Sequence, residues 1–501
     1  MTQTPPDLSP RESHVLDNRG RMILVLLLGA QFLIALDFST LNVALPRIGA
    51  DVGFSLNNLQ WVATSFALAA TGFTLFFGRV ADIVGRRRVF MLGMALLGLA
   101  SGVGAASQTP TVLLVARVLQ GIATAMVVPS GLALLTTSFP EGPLRAKALG
   151  LNGALLSAGF TTGALVGGLL TGLLSWRWAF LVNIPVCVLV LVLTPMLIAN
   201  SRLGQRPRLD VPGTLTVTVG LLALVYGVTS AGHLGWTDSH AVWPLGAAVV
   251  LLGAFWVIEL RSREPLVAVA VLTRPTVLWG NIGGLVTFTM FTAQVFLLTL
   301  YLQKVLGYSP TQTGLAFSVL GATAFLAGVL APRLIAILGD SRRAMIVSLV
   351  VQAAMTGVLY LLGDTSGSLW LVLGATAVGG FVHCLAVVSF MVTSTSGLSN
   401  QVQGLATGLA SMTQQIGITL GIPVMSAVAT SRMLTTSGGS SSPSAVLGGV
   451  TFALLVDAVV VVLGAMLIAV FLRPAVSAGR TEQERSESDV APELQAGTAV
   501  L

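Results

Sequence analysis

The feature that most restricts this chain is an apolar run long enough to cross a bilayer, repeated fourteen times. A helix of ~20 apolar residues bridges the hydrocarbon core. Such runs lie near 22–45, 58–80, 89–107, 110–135, 146–173, 178–200, 211–232, 241–260, 277–303, 311–338, 343–363, 369–393, 404–430 and 446–472. Each is expected to be a helix, because an open strand edge in lipid leaves backbone N–H and C=O groups unpaired. The short alternating segments of a membrane barrel are missing from the sequence. Only 9% of the 501 residues are charged, where a soluble domain carries roughly 25%. The net charge of +7 does not point to nucleic acid, since the basic residues fall one to three at a time between apolar runs and form no continuous face. Cys187 and Cys384 sit inside apolar runs without metal-ligand spacing and read as small packing residues. The first run is longer than a signal-peptide core and lacks a small-residue cleavage site, so it is expected to remain in the mature protein.

The loops test this count. Sorted into the two sets that fourteen spans alternate between, Lys and Arg divide twenty-one to four, with Arg117 left inside a span. The positive-inside rule then puts both termini in the cytoplasm. The chain also repeats itself. Arg79, Gly85, Arg86 and Arg87 recur as Arg333, Gly339, Arg342 and Arg343; Ala148, Gly150, Leu151, Gly159 and Gly163 recur as Ala406, Gly408, Leu409, Gly417 and Gly421. Both matches set the second copy about 255 residues after the first, and spans seven and eight have no counterpart. The expected organisation is a cytoplasmic tail over 1–21, a six-helix bundle over 22–200, an inserted two-helix hairpin with flanking cytoplasmic loops over 201–276, a second six-helix bundle over 277–472 and a disordered cytoplasmic tail over 473–501. Halves of this kind build many secondary transporters, with the site between them near mid-membrane.

Two acids, Asp37 and Asp457, lie deep in apolar runs. A carboxylate at bilayer depth costs at least about 2.5 to 3.5 kcal/mol and marks a functional site by default. At 1.5 Å per residue, Asp37 falls roughly 13 to 15 Å below the outer face and Arg117 about 9 Å below it, so the two are nearly level. A carboxyl that alternates between an arginine neighbour and an apolar pocket alternately holds and sheds a proton.

Seven short motifs hold or accompany these residues. GRVADIVGRRR, Gly78 to Arg88, follows span two and sets Asp82 beside Arg86 and Arg87, with Gly78 and Gly85 allowing close approach and a turn. It reads either as a latch or as a solvated, topology-setting loop. RVLQGIATA, Arg117 to Ala125, carries the buried arginine, and GFTTGALVGG spaces Gly159, Gly163 and Gly167 four apart on one helix face, followed by Gly168. LDFSTLNVALP, Leu36 to Pro46, holds Asp37; WVATSFALA, WRWAFLVNIP and LDVPG follow at Trp61, Trp176 and Leu209. Together, from about Met22 to Leu472, these resemble the fourteen-span drug/proton antiporter branch of the major facilitator superfamily. Two departures stand out: Ser39 where the branch usually has Thr, and Ala164 where its antiporter motif has proline.

The resemblance implies an all-α major facilitator fold, two six-helix bundles plus an inserted hairpin. It further implies proton-driven export of amphipathic drugs or antibiotics by alternating access, with Asp37 and Arg117 at coupling positions, Gly78, Asp82, Gly85, Arg86 and Arg87 forming a gating loop, and Gly159, Gly163, Gly167 and Gly168 packing the antiporter helix. Asp457 has no motif around it and reads as a second proton site or a substrate counter-ion. Phe38, Asn42, Trp61, Gln120, Phe291, Gln294 and His383 are the expected cavity residues; His383 reads first as a hydrogen-bonded packing residue and only second as a relay. The expected partners are an amphipathic small molecule, protons and the lipid bilayer of the cell membrane, with no nucleic acid, metal, cofactor or obligate protein partner. Export of an endogenous metabolite, siderophore or lipid is the alternative. An enzyme needs a polar catalytic cluster, and the sequence has no HExxH, GxSxG or phosphate loop and only four histidines.

Overall fold

The computed structural model describes residues 17–54, 61–139, 143–199, 210–262, 269–365, 367–396, 398, 400–437 and 442–472. The expected tails over 1–16 and 473–501 and parts of the loops, 201–209 and 438–441 among them, lie outside these residues. The described residues contain fourteen long helices and no strand. They are α1 Asn18–Val52, α2 Trp61–Val84, α3 Arg86–Ala106, α4 Pro110–Ser138, α5 Pro143–Leu173, α6 Trp178–Leu197, α7 Val211–Leu234 and α8 Ser239–Arg261. The series continues with α9 Pro275–Leu300, α10 Pro310–Leu338, α11 Ser341–Val358, α12 Ser368–Thr395, α13 Asn400–Ser437 and α14 Pro443–Phe471. Thirteen are long and apolar enough to cross a membrane. The other, α5, is the glycine-rich helix, 31 residues long.

Short polar signals set where these helices begin. Thr109, Asp210, Ser309 and Ser442 each accept a backbone N–H of the helix that follows, and a proline opens the first turn in all four cases. Its missing N–H costs nothing there, and its fixed φ suits the first turn. At α10 the cap is reciprocal, with Gln312 reaching back to the Ser309 backbone. Three elements differ from expectation. The first helix does not stop at residue 45: it runs on through Pro46 to Val52 and ends at Gly53, whose φ of +82° lets its N–H return to Gly49 O. Polar contacts hold this extra length, Arg47 donating to Thr171 O and Trp176 Nε1 to Asp51 at 2.8 Å, so the loss of apolar residues does not end the helix. The α9 helix continues into a π turn, Tyr301–Val305, and a one-turn helix, Val269–Leu272, precedes it.

Helix neighbours repeat between the halves. In the first, α1 packs on α5, α2 on α4, and α3 on α4 and α6; in the second, α9 packs on α13, α10 on α12, and α11 on α12 and α14. Two seams join the bundles, α5 with α10 and α2 with α13. The α5–α10 seam is backbone against backbone: a Cβ on Gly328 would fall 2.2 Å from Ala154 Cβ, and one on Gly150 2.6 Å from Gly328 O. At the α2–α13 seam, Thr71 Oγ1 meets Thr419 Oγ1 at 3.1 Å, and Gly78 faces Gly408. Small residues allow such approach where lipid gives helices no hydrophobic drive to associate. The α7 helix packs on both α2 and α13, and α8 packs on α7 with Trp243, Val249 and Val250 turned outward. That outer face suits lipid contact.

Candidate functional site

A buried ionic network links α1, α3, α4 and α6. Asp37 accepts from Arg117 Nη1 at 3.3 Å, from Gln120 Nε2 at 3.3 Å and from Asn183 Nδ2. Arg117 also donates through Nε to Val62 O at 2.9 Å and through Nη1 to Gln120 Oε1 at 2.7 Å. Ser101 Oγ accepts from Gln120 at 2.9 Å and from Asn183 at 3.1 Å. None of these five side chains is more than 1% exposed. They come together because α1 and α3 each pack on α4 and on α6, and α1 is held in turn against α5. A Cβ at Gly163 would lie 2.5 Å from Leu36 O, one at Gly159 2.8 Å from Phe32 O and one at Gly167 2.8 Å from the Thr40 backbone. The glycine face of α5 therefore grips α1 over the two turns that bracket Asp37. Gly168, beside that face, is partly exposed.

A cavity adjoins this network between the bundles. Its space is about 970 Å³, counting the part open to the surroundings, and the wall includes Phe38, Phe66, Thr124, Phe288, Phe291 and His383. Phe66 belongs to both features: one side lines the cavity, and its ring lies 4.3 Å from the Arg117 guanidinium carbon. Phe38, next to Asp37 in sequence, sits 5.8 Å from Phe66 between ring centroids. Two aromatic side chains thus stand between the cavity and a buried charge pair. An Arg–aromatic contact of this kind is worth up to ~2 kcal/mol when desolvated.

Three expected cavity residues lie elsewhere. Gln120 is committed to the ionic network, because its amide has both a donor for Asp37 and an acceptor for Arg117. Trp61 stacks on Tyr226 of α7 at 5.7 Å, its flat ring covering the hairpin contact. Gln294 is buried on α9, outside the cavity wall. Asn42 falls within α1, but its side chain is outside the described residues. Asp457 is also apart from the charge pair. It is fully buried on α14, and neither carboxyl oxygen has a hydrogen-bond partner among the described residues. At the α2–α3 turn, Arg86 Nε donates to Asp82 at 3.0 Å across Gly85, whose φ of +114° favours glycine; Arg87 is half-buried beside them. Gly78 faces Gly408 and Pro129, so this turn abuts the α2–α13 seam. Sequence reasoning missed Ser101 and Asn183, although Asn183 lies within WRWAFLVNIP as an amide in an apolar span. It also missed Gln31, Thr124, Gln414, Gln415 and Thr419 in the cavity wall, single polar residues that carry no motif.

The family model of the Major Facilitator Superfamily matches residues 27–422. The chain belongs to that superfamily. It is 36% identical over 506 residues to the puromycin resistance protein pur8 of Streptomyces alboniger, covering 97% of this chain and 98% of that protein. It is 37% identical over 431 residues to the cephamycin export protein CmcT of Amycolatopsis lactamdurans, covering 84% and 86%. The crystal structure of the human organic anion transporter MFSD10 superposes with a TM-score of 0.64 at 17% identity, covering 90% of this chain and all of that one, a likeness of fold. As a member of the superfamily the chain is a multi-pass membrane transporter, and its ionic network and cavity are read in those terms.

Proposed function

We propose that this protein exports antibiotics or related amphipathic compounds across the cell membrane in exchange for protons, and so confers resistance. The observation that carries the reading is the shared wall: the Asp37–Arg117 pair, sealed from the surroundings, lies directly behind Phe38 and Phe66 of the cavity. Proton uptake at Asp37 weakens its hold on Arg117, and movement of the guanidinium moves the ring stacked on it. A ligand pressing on Phe66 acts on the same pair from the other side. Neither event requires the ligand to touch the acid.

Alternating access follows as rocking of the two bundles about the seams, with both termini in the cytoplasm. The Asp82–Arg86 pair is assigned the gating role, since it sits at one end of a seam that must open. Asp457 is assigned a secondary part in pH dependence. Similarity to a cephamycin export protein favours a second reading, export of an antibiotic made by the same cell. The test is efflux from cells stripped of their own pumps, across uncharged, cationic and anionic antibiotics, with and without a protonophore. Export that the protonophore abolishes supports the proposal; undiminished export in its presence contradicts it.

A further inference from the structure

The cavity wall is built from equivalent positions of the two bundles. Gly159 and Gly163 of α5 contact Phe32 O and Leu36 O of α1, while Gly417 and Gly421 of α13 contact Leu285 O and Thr289 O of α9. That register relates Phe38 to Phe291, and both rings line the cavity. In the same way Gly121 of α4 contacts Phe66 O and Gly380 of α12 contacts Leu320 O, which relates Thr124 to His383, three residues after each glycine. Thr124 and His383 line the cavity too. Each half therefore contributes one phenyl ring and one polar side chain from matching places.

Those two polar groups are unsatisfied. Among the described residues, Thr124 Oγ1 and His383 Nδ1 are buried without a hydrogen-bond partner, the residues being 1% and 4% exposed. A buried polar atom left without a partner is costly, so both are poised for a ligand. No Asp, Glu, Lys or Arg is among the described residues of the wall, whose other polar members are Gln31, Thr292, Gln414, Gln415 and Thr419. Aromatic rings alone could attract a cation, but one face of each of two of the four rings is already taken. Arg117 already covers Phe66 at 4.3 Å, and the His383 ring lies flat on Phe291 at 3.5 Å and 7°. A cation would lose its hydration and gain no counter-charge.

We infer that the cavity binds an uncharged, planar aromatic compound across the seam, with one polar group for Thr124 in the first bundle and another for His383 in the second. This deepens the export reading and rests on it for the claim that the compound is cargo. Binding of both halves to one molecule is also what would make the ligand sensitive to their relative position.

The test is equilibrium binding to the purified full-length protein in detergent, which needs no transport. The probes are labelled chloramphenicol and chrysophanol, both uncharged aromatics with polar substituents, against the planar cation ethidium. At least one uncharged probe is expected to bind saturably, with ethidium unable to displace it. Thr124→Val and His383→Phe, which keep shape and ring, are each expected to weaken that binding about tenfold, the value of a single lost hydrogen bond to a buried group. Unfolding temperatures of both variants should equal or exceed that of the wild type. Displacement by ethidium at comparable concentration, failure of both uncharged probes to bind, or unchanged affinity in both stable variants would each overturn the inference. Binding as expected, in a protein that expels no compound from cells or vesicles, would uphold this site and sink the export reading instead.

Discussion

The two bundles share a frame but not a chemistry. A Cβ at Gly102 of α3 would meet Ile184 of α6 at 4.0 Å, and one at Gly357 of α11 would meet Ala458 of α14 at 3.9 Å. One residue earlier on each helix stand Ser101 with Asn183 in the first bundle and Thr356 with Asp457 in the second. Around Ser101 and Asn183 the first bundle assembles Asp37, Arg117 and Gln120 into a network. In the second, the register gives Met290 where Asp37 would be and Thr376 where Arg117 would be, and among the described residues Thr376 bonds within its own helix, at Val372 O and Leu373 O. Asp457 is thus a buried acid with nothing arranged to hold a charge on it, whereas Asp37 has three donors. The comparison teaches that an acid at depth is not enough. The donor set distinguishes a place where charge can reside from a place where it cannot.

The comparison can be broken most directly at Arg117. Arg117→Ala strands a buried carboxylate, and losing one partner of such a pair costs roughly 3 to 5 kcal/mol; thermal unfolding should fall and transport should drop to background. Arg117→Lys should not rescue it, since an ammonium cannot serve Val62 O, Gln120 and Asp37 as the guanidinium fork does. Tolerance of Lys would mean that charge alone matters. Next in size is a matched pair of glycine substitutions. Gly163→Ala drives a methyl to within 2.5 Å of Leu36 O, and Gly421→Ala to within 2.2 Å of Thr289 O. Each should destabilise by about 1 to 3 kcal/mol, but only the first displaces the helix turn carrying Asp37. Transport normalised to folded protein should therefore fall more in Gly163→Ala, and equal losses would dissolve the distinction between the halves.

Smaller effects sharpen the contrast. Asp457→Asn should change efflux by no more than a few-fold, and Asp457→Leu should leave unfolding temperature equal or higher, because a buried polar group without partners contributes no stability. Loss of export in Asp457→Asn would give the second bundle an essential acid and remove the asymmetry. The smallest difference expected is between Ser101→Ala and Thr356→Val, each of which removes only a hydroxyl. Ser101 accepts two hydrogen bonds and its loss should cost about 1 kcal/mol or more; Thr356 Oγ1 has no partner among the described residues, so its replacement should be near neutral.

Much of this fold could be read from the residues because a bilayer permits few solutions. Apolar runs mark the fourteen helices, the C-terminal ends of α1 and α13 lying seven residues beyond the expected ones, and the repeated glycines mark the helix faces that pack. The depth of Asp37 and Arg117 could be counted along their own spans, which brought them level before any contact was known. Helix rotation could not be counted that way. Gln120, one turn from Arg117, turns toward the network and away from the cavity, and Trp61 turns toward Tyr226 of the hairpin, a partner to which no motif points. The extension of α1 past Pro46 depends on contacts with α5 and with the Trp176–Arg177 turn, which exist only once the bundle has formed. Asn183 was visible as an amide in an apolar span, yet its partner became evident only when α6 was set beside α1.

The central claim is that Asp37 couples proton movement to export while standing outside the ligand cavity. The measurement that meets it most directly is drug accumulation by Asp37→Asn in sealed proteoliposomes under an imposed pH gradient, paired with ligand binding by the same purified variant. Saturable ligand binding with no gradient-driven accumulation is the predicted result. Uphill accumulation at the wild-type rate, with the carboxylate gone, would contradict it.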